Sequence, residues 1–317
     1  MAEQLMQGFP ASSDNQVTLA NWRQAPWSSW AFHHVREILA TAEIRNRPED
    51  LWTLDEAPVN LGGISIDLAD GGVMSIAGFL DTMHIDAMLV LHRDRIVYEH
   101  YRPGMDRYHP HILFSVSKSV LGMVCGILEH QQRLDISQPV TRYLPELAST
   151  AYRDTTVREL LDMRAAVAFE EDYLATEGPI IQYRKATGWN PLDEGEQPGD
   201  LRSFYQTLTD LDPNFAGEFA YKSPNTDLLA WIIERACNQP YADVISDTLW
   251  QPMGAESSAY ITVDRFGAPR AAGGVCTTLR DLARVGRLMA HDGKRGSLQV
   301  LPPAWTTQLV EQGDKDA

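Results

Sequence analysis

Strand signals occur in two separate parts of this sequence, and the long stretch between them has almost none. Alternating apolar and polar residues predict strands at residues 63–67, 86–92, 96–101, 258–264 and 274–278. The short polar break at 93–95 joins two of these strands as a hairpin. A sheet built from both ends of a chain, with helices from its middle, is an α+β domain with an inserted all-helical region.

Apolar residues at helical spacing predict the helices that accompany this sheet. They fall at residues 30–42, 115–131, 156–163, 227–236 and 279–290. Residues 176–200 hold four glycines, three prolines and many charges, which predicts a long surface loop. We therefore divide the chain into an α/β part at 1–135, an all-helical region at 136–249 with a loop at 173–200, and a second α/β part at 250–317.

The balance of charges limits the partners of this chain. It has 43 acidic against 27 basic residues, a net charge of -16 and a pI near 4.9. Such a surface repels phosphate backbones and anionic lipids, so we expect no nucleic acid and no membrane partner. No apolar run approaches membrane-spanning length, and residues 1–16 lack the pattern of a secretory signal. We therefore expect a cytoplasmic protein.

Cysteine and histidine usage gives no sign of a metal or cofactor. Cys125, Cys237 and Cys276 lie far apart without C-x-x-C spacing, which predicts buried free thiols. H-E-x-x-H, G-x-x-x-x-G-K-[ST] and G-x-G-x-x-G motifs do not occur. His109 and His111 could form a metal pair or supply a base, but no third ligand is positioned with them. We predict no cofactor and no metal.

An S-x-x-K motif stands where the predicted helix at 115–131 begins. Its spacing brings Ser115 and Lys118 to one face of the helix. The helix N-terminus favours an oxyanion at Ser115, and with burial it disfavours a charged ammonium at Lys118. Lys118 could then accept the proton of a nucleophilic Ser115. The alternative is a helix-capping serine with a solvated lysine, but the next ten residues are apolar and uncharged, which implies burial.

A second motif, Tyr-Lys-Ser at 221–223, precedes the predicted helix at 227–236. A tyrosine beside a cationic lysine can ionise or relay a proton to a leaving group, although a packing role is the alternative for Tyr221. G-x-S-x-G is absent, so the nucleophile elbow of the α/β-hydrolases is excluded. Ser115, Lys118 and Tyr221 are therefore the candidate catalytic residues.

Five blocks of sequence resemble the class C β-lactamase and esterase group of penicillin-recognising serine hydrolases. They are residues 113–119, 139–147, 156–162, 219–223 and 273–283. Their order and spacing are specific, and they span most of the chain. The resemblance implies a β-lactamase/transpeptidase-like fold, with an antiparallel sheet flanked by helices. It also implies a serine hydrolase that forms an acyl-enzyme on Ser115.

Within this family the chain is most similar to the nylon-oligomer hydrolases, which act on 6-aminohexanoate dimers, and to related carboxylesterases. Residues 21–22, 30–33, 171–173 and 187–189 carry this likeness. It implies a small carboxylic ester or a linear amide as substrate. A homodimer is expected by analogy alone.

The resemblance also assigns roles to individual residues. Lys118 would be the general base, and Tyr221 would pass a proton to the leaving group. Ser223 would hydrogen-bond Lys118 or the substrate. Tyr173 would contact the leaving group, and Trp189 would cover the acyl pocket as a mobile lid, unless it only anchors its loop.

Two departures from the family bear on the substrate. Arg184 and Lys185 precede Trp189, and no carboxylate stands there to hold a substrate ammonium. Ala272 offers no side-chain hydrogen bond beside the predicted strand at 274–278. We therefore expect a neutral or anionic ester to suit this pocket better than an amide oligomer.

A third departure concerns the last motif of the family, a strand with K-T-G or H-x-G, which is absent before Ala317. We expect the C-terminal strands to be missing, and with them an oxyanion-hole donor worth about 3 kcal/mol of barrier. The strand near Gly274 would then have a bare apolar edge. This reasoning predicts a truncated, poorly active or aggregation-prone monomer.

Two other functions fit parts of the pattern. A β-lactamase or D-alanyl peptidase would share the motifs, but it works outside the cytoplasm. A non-catalytic sensor would bind ligands through the same cleft and keep its acyl group. The presence of Ser115, Lys118 and Tyr221 together favours a hydrolase.

Overall fold

The computed structural model of the protein describes residues 4–69 and 71–312. Most of its strands are short. They are β1 (Thr41–Ile44), β2 (Asp55–Glu56), β3 (Ser65–Asp67), β4 (Val73–Ser75), β5 (Ala87–His92), β6 (Arg95–Tyr101), β7 (His111–Ile112), β8 (Ala259–Thr262), β9 (Val275–Thr277), β10 (Lys294–Arg295) and β11 (Leu298–Gln299).

The α-helices range from one turn to about four. They are α1 (Ser28–Ala31), α2 (Ile76–Thr82), α3 (Val116–His130), α4 (Val140–Tyr143), α5 (Val157–Leu161), α6 (Pro179–Ala186), α7 (Leu201–Tyr205), α8 (Ser223–Cys237), α9 (Tyr241–Ile245), α10 (Gln251–Met253), α11 (Leu279–Ala290) and α12 (Pro303–Glu311). Short 3₁₀ turns occupy Ser13–Asn15, Val35–Glu37, Pro48–Asp50 and Pro145–Leu147, and a π turn spans Ser246–Trp250.

The principal sheet has four antiparallel strands in the order β1-β8-β9-β7. A second sheet has the order β2-β6-β5, in which β5 and β6 form the predicted hairpin. Arg93 and Asp94 connect these two strands with φ angles of 49° and 64°. Positive φ at both loop residues matches the right-handed twist of a hairpin, which explains the tight turn.

Helices occupy the middle of the chain, as the α+β prediction requires. Between β7 and β8 the described elements are helices, and α3 and α8 are the longest of them. Both helices lie deep in the core, with most of their residues buried. The α+β fold with antiparallel sheets is therefore confirmed, while the division at residues 135 and 249 stays a prediction.

The predicted helix at 30–42 is wrong. Only α1 and the 3₁₀ turn Val35–Glu37 are helical there, and β1 begins at Thr41. Residues 41–44 pair with β8 in antiparallel register. Pairing with a strand more than 200 residues away outweighs local helical spacing, because tertiary contacts override weak propensities.

The segment 176–200 is only partly the surface loop we predicted. It contains α6, which begins at Pro179 just after Gly178 with a φ of 89°. Ile180, Tyr183 and Ala186 form the buried face of α6. Proline fits the first helical position, so the residue types that predicted a loop also mark the start of a helix.

The strand near Gly274 does not have the bare edge we expected. β9 pairs with β8 on one side and with β7 on the other, and Leu113 N donates to Val275 O at 2.8 Å. The chain leading into α3 runs along β9 and satisfies its backbone groups. That prediction was wrong because β7, only two residues long, has too weak a pattern to detect.

No helix within 4–69 or 71–312 combines the length and the apolar character needed to cross a membrane.

Two glycines of α3 provide a test of the packing between α3 and α12. A Cβ on Gly126 would overlap the Trp305 indole, whereas a Cβ on Gly122 would meet no heavy atom within 4 Å. We expect Gly126→Ala to lower the free energy of unfolding by about 1–3 kcal/mol through overpacking. Chemical denaturation measures this change.

The matched control is Gly122→Ala in the same helix. It should raise the free energy of unfolding by up to about 1 kcal/mol, because alanine favours the helix. Equal stabilisation by both substitutions would show that Trp305 does not pack against Gly126.

Candidate active site

β7 leads directly into α3 and places Ser115 at the junction of sheet and helix. Ser115 occupies the N-cap position of α3 but its hydroxyl makes no capping hydrogen bond, and Phe114 before it has a φ of 44°. The buried hydroxyl of Ser117 accepts a hydrogen bond from Val275 N at 3.1 Å, which fixes the first turn of α3 against β9. The side chain of Ser115 is exposed at the surface of this junction.

The structure brings the three candidate catalytic residues together. Lys118 Nζ lies 3.2 Å from Ser115 Oγ, and Tyr221 Oη donates to Ser115 Oγ at 2.8 Å. Lys118 Nζ also lies 4.7 Å from the centre of the Tyr221 ring, within the range of a cation–π contact. The hydroxyl of Ser115 is therefore within proton-transfer distance of both an amine and a phenol.

A backbone carbonyl orients Lys118. Lys118 Nζ donates to Ala272 O at 2.8 Å, and Ala272 N donates to Asp227 Oδ1 at 2.6 Å. The sequence suggested that Ala272 contributes nothing because its side chain has no polar group. Its main chain instead links the amine of the S-x-x-K motif to a buried carboxylate.

That carboxylate is part of a buried ion pair. Arg270 Nη1 lies 2.5 Å from Asp227 Oδ2, and Tyr183 Oη donates to the same oxygen at 2.5 Å. Burial alone would lower the pKa of Arg270, but Asp227 and Tyr183 raise it above its usual value. Arg270 therefore stays charged and holds Asp227 in the position that fixes Ala272.

Lys222 does not act on Tyr221 as the sequence suggested. Its Nζ points into the protein and donates to Val167 O at 2.7 Å and Ala165 O at 3.3 Å. Lys222 has extended backbone angles, and neighbouring side chains in such a segment point to opposite sides. The amine beside Tyr221 is that of Lys118, and burial lowers the pKa of Lys222.

Ser223 is hydrogen-bonded to Glu171 rather than to Lys118. Its hydroxyl donates to Glu171 Oε1 at 2.5 Å, and its backbone N–H also donates to the Glu171 carboxylate. Tyr173 Oη donates to the same Oε1 at 2.8 Å. The Ser223 hydroxyl therefore does not bond Lys118 as predicted, because the Glu171 carboxylate accepts its proton. A bond from Ser223 to the substrate stays a prediction.

Tyr173 lies at the mouth of the site with 59% of its surface exposed. Burial of its hydroxyl end, the hydrogen bond to Glu171 and the Glu171 charge all raise its pKa. A contact with the leaving group stays a prediction, and Tyr173 would make it as a neutral phenol.

Two hydrogen bonds hold Trp189, and its role as a mobile lid over the acyl pocket stays a prediction. Its Nε1 donates to Thr262 Oγ1 at 3.1 Å, and its carbonyl accepts from Trp22 Nε1 at 3.1 Å. The ring packs edge-on to Phe114 at 6.0 Å, and a Cβ on Gly273 would lie 3.2 Å from it. Trp189 is 95% buried and forms a wall beside the nucleophile.

A cavity of about 810 Å³ opens beside Lys118. α3 lines it through Ser119 and Gly122, and Met163, Phe219 and Trp305 form its other apolar walls. This volume matches the pockets that bind small molecules in proteins.

The two histidines upstream of Ser115 are engaged elsewhere. His109 Nδ1 lies 2.9 Å from Asp106 Oδ1, and His111 Nε2 lies 3.1 Å from Asp86 Oδ2. Across residues 4–69 and 71–312, no three His, Cys, Asp or Glu side chains are grouped so that they could hold a metal ion.

Glu171, Asp227 and the Ala272 carbonyl are site groups that sequence reasoning missed. Asp227 carried a usable signal, since it is a lone acidic residue ahead of an apolar helical run at 228–233. Such a residue is rarely buried without a partner. Glu171 lies in the block 171–173 that carries the family likeness, but a role was assigned there only to Tyr173. The carbonyl carried no signal.

Comparison with known proteins places this geometry in a family. The sequence profile of the Beta-lactamase family matches residues 79–313. A 6-aminohexanoate-dimer hydrolase from Paenarthrobacter ureafaciens is 37% identical over 309 residues, which are 98% of this chain and 76% of that protein.

Solved structures agree with the sequence matches. A protein from Bacillus anthracis assigned as a 6-aminohexanoate-dimer hydrolase superposes with a TM-score of 0.86 and 26% identity, covering 95% of this chain and 78% of that one. A class C β-lactamase from Rhodobacter sphaeroides shares the fold alone, with a TM-score of 0.52, 18% identity and coverage of 73% and 68%.

The fold is therefore the β-lactamase/transpeptidase-like fold. The chain belongs to the Beta-lactamase family, and it is a serine hydrolase.

The buried Asp227 provides a test of how the site is held together. Asp227→Asn removes the charge that faces Arg270, and we expect it to lower the free energy of unfolding by about 3–5 kcal/mol. Chemical denaturation monitored by circular dichroism measures the loss.

Asp243→Asn is the matched control, because Asp243 pairs with the exposed Arg45 at 2.8 Å. Its loss should not exceed about 1 kcal/mol. Similar losses in the two variants would contradict the structural role assigned to Asp227.

Proposed function

We propose that this protein hydrolyses small carboxylic esters and linear amides through an acyl-enzyme formed on Ser115. The observation that carries this proposal is the position of Ser115 Oγ, 3.2 Å from Lys118 Nζ and 2.8 Å from Tyr221 Oη. The names of the relatives support it, because 6-aminohexanoate dimers are linear amides.

In the first half of the reaction, Ser115 Oγ attacks the carbonyl carbon and its proton passes to Lys118 Nζ. Ser115 N–H finds no acceptor among the described residues, while the N–H groups of Val116 and Ser117 are bonded to carbonyls. It is available to the oxyanion at the positive end of α3. The C–O or C–N bond then breaks, and the leaving group takes a proton from Tyr221, which Lys118 restores.

In the second half, a water molecule attacks the ester of Ser115. Its proton passes to Tyr221 or Lys118, and Ser115 recovers a proton as the acid leaves. Glu171 holds Ser223 and Tyr173 in position, because both hydroxyls donate to its carboxylate. Tyr173 at the mouth would contact the leaving group, and Trp189 would bound the acyl pocket.

Substitutions of the three residues test this proposal. Ser115→Ala should abolish labelling by a fluorophosphonate and turnover of p-nitrophenyl butyrate. Lys118→Met and Tyr221→Phe should each lower kcat/KM by about 10²–10⁴, as expected when an acid–base group is lost. Gel labelling and release of p-nitrophenolate measure these effects.

Lys185→Met is the control and should leave both measurements unchanged, because Lys185 pairs with Asp193 and Glu196 rather than with a catalytic residue. Turnover that survives Ser115→Ala would overturn the proposal. So would labelling of Ser115 without any turnover, the behaviour of a sensor. Nitrocefin hydrolysis faster than that of every ester and amide would assign the site to β-lactams instead.

We also propose that the protein is a cytoplasmic homodimer. Cys125, Cys237 and Cys276 are free thiols, and two of them are fully buried, which suits a reducing compartment. Ile64, Val73, Met83 and Ile85 are exposed apolar residues around β3, β4 and α2, where a second copy could pack. Sedimentation at the mass of a monomer would contradict the dimer.

A further inference from the structure

Three guanidinium groups lie together on the side of the site formed by Trp189 and Tyr173. They belong to Arg23, Arg184 and Arg270, and the charge of Arg270 acts on both of the others. Arg270 is neutralised by Asp227 at 2.5 Å. Neither Arg23 nor Arg184 has a carboxylate within 4 Å in the described part of the chain.

Arg184 lies in the last turn of α6 and faces Tyr173. Its guanidinium carbon is 6.0 Å from the Tyr173 ring centre, and Nη2 makes a long contact of 3.4 Å to Tyr173 O. Glu171 and Asp172 act on it only from beyond ion-pair distance. Glu171 is bonded to Ser223 and Tyr173, and Asp172 accepts from Leu174 N, so neither carboxylate pairs with Arg184.

Arg23 is the more buried of the two. One Nη group donates to Asn190 Oδ1, but its Nε is buried and has no hydrogen-bond partner. Burial first, then Arg184 and Arg270, lower the pKa of Arg23 to about 10. A buried donor without an acceptor costs free energy, and so does a second positive charge nearby. An anion between Arg23 and Arg184 would relieve both costs.

The lysine next to Arg184 does pair with carboxylates, so the lack of an acidic partner is specific to the two arginines. Lys185 follows Arg184, yet its Nζ pairs with Asp193 at 2.6 Å and with Glu196 at 2.5 Å. The chain has 43 acidic residues against 27 basic ones, so carboxylates are abundant. Two arginines beside the site are nevertheless left without one.

Contacts between neighbouring residues link both arginines to the surroundings of Ser115. Arg184 faces Tyr173, whose phenol lies within electrostatic range of the Tyr221 hydroxyl. Arg23 is bonded to Asn190, which follows Trp189, and Trp189 packs against Phe114 next to Ser115. An anion held there would lie on the side of the site that Trp189 and Tyr173 form.

We propose that the substrate carries a carboxylate and that Arg184 and Arg23 bind it. This inference rests on the proposed function and specifies its substrate class. The class comprises half-esters and half-amides of dicarboxylic acids, with the carboxylate on the acyl side, and esters or amides of hydroxy or amino acids, with it on the leaving group. Bidentate recognition by a guanidinium suits either.

The test compares charged and neutral substrates of similar size. Mono-p-nitrophenyl glutarate carries the carboxylate on the acyl side, and 4-butyryloxybenzoate carries it on the leaving group. p-Nitrophenyl butyrate and phenyl butyrate are their neutral counterparts. Arg184→Gln should lower kcat/KM at least tenfold for one carboxylate substrate and less than twofold for its neutral counterpart. Arg23→Gln should act in the same direction.

Lys185→Gln is the matched control and should leave the ratio of charged to neutral kcat/KM unchanged. Arg184→Lys should restore part of that ratio, because it keeps the charge but loses the fork of donors. An equal fall for charged and neutral substrates in Arg184→Gln would overturn the proposal, as would no change in either ratio. Ser115-dependent turnover of the neutral esters would meanwhile leave the proposed hydrolase intact.

A binding measurement separates this proposal from the proposed function. Glutarate and 4-hydroxybenzoate, titrated into the Ser115→Ala protein by calorimetry, need no turnover. At least one should bind at least tenfold more weakly when Arg184→Gln is added. Equal binding with and without that substitution, or no binding of either anion, would overturn the anion site even if every ester is hydrolysed.

Discussion

The buried carboxylate of Asp227 is the constraint on which the geometry of the site depends. It accepts hydrogen bonds from Ala272 N and Tyr183 Oη, and it pairs with Arg270. These contacts tie α6 and the chain before β9 to α8. The carbonyl of Ala272, held in this way, accepts from the amine of Lys118. Asp227, which is not a catalytic residue, therefore orients the catalytic Lys118.

The catalytic residues stand at the N-terminal ends of two helices, which explains why the fold holds them so closely. α3 presents Ser115 and Lys118 one turn apart, while Tyr221 directly precedes α8, the helix that also carries Asp227. α3 and α8 contact each other in the core, and their buried faces leave little freedom for one to slide. The distances around Ser115 thus follow from packing between two helices, rather than from the loops above them.

The sequence predicted most of what depends on local pattern. The hairpin of β5 and β6, the helix α11 and the spacing of Ser115 to Lys118 all rest on periodicity within one segment. The sequence-based predictions failed where contacts with residues distant in sequence determine the structure. β1 depends on β8, and the Ser223 hydroxyl turns to Glu171 rather than to Lys118. The unpaired charges of Arg23 and Arg184 also required coordinates, because a sequence does not show which carboxylates lie within reach.

The central claim is that Ser115 becomes acylated, and the most direct measurement is rapid mixing of the protein with a p-nitrophenyl ester. The account predicts a burst of one p-nitrophenolate per chain before steady turnover. Mass spectrometry of the quenched protein should locate the acyl group on the peptide that contains Ser115. An acyl group found on another residue, or steady release from a protein that never gains the acyl mass, would contradict it.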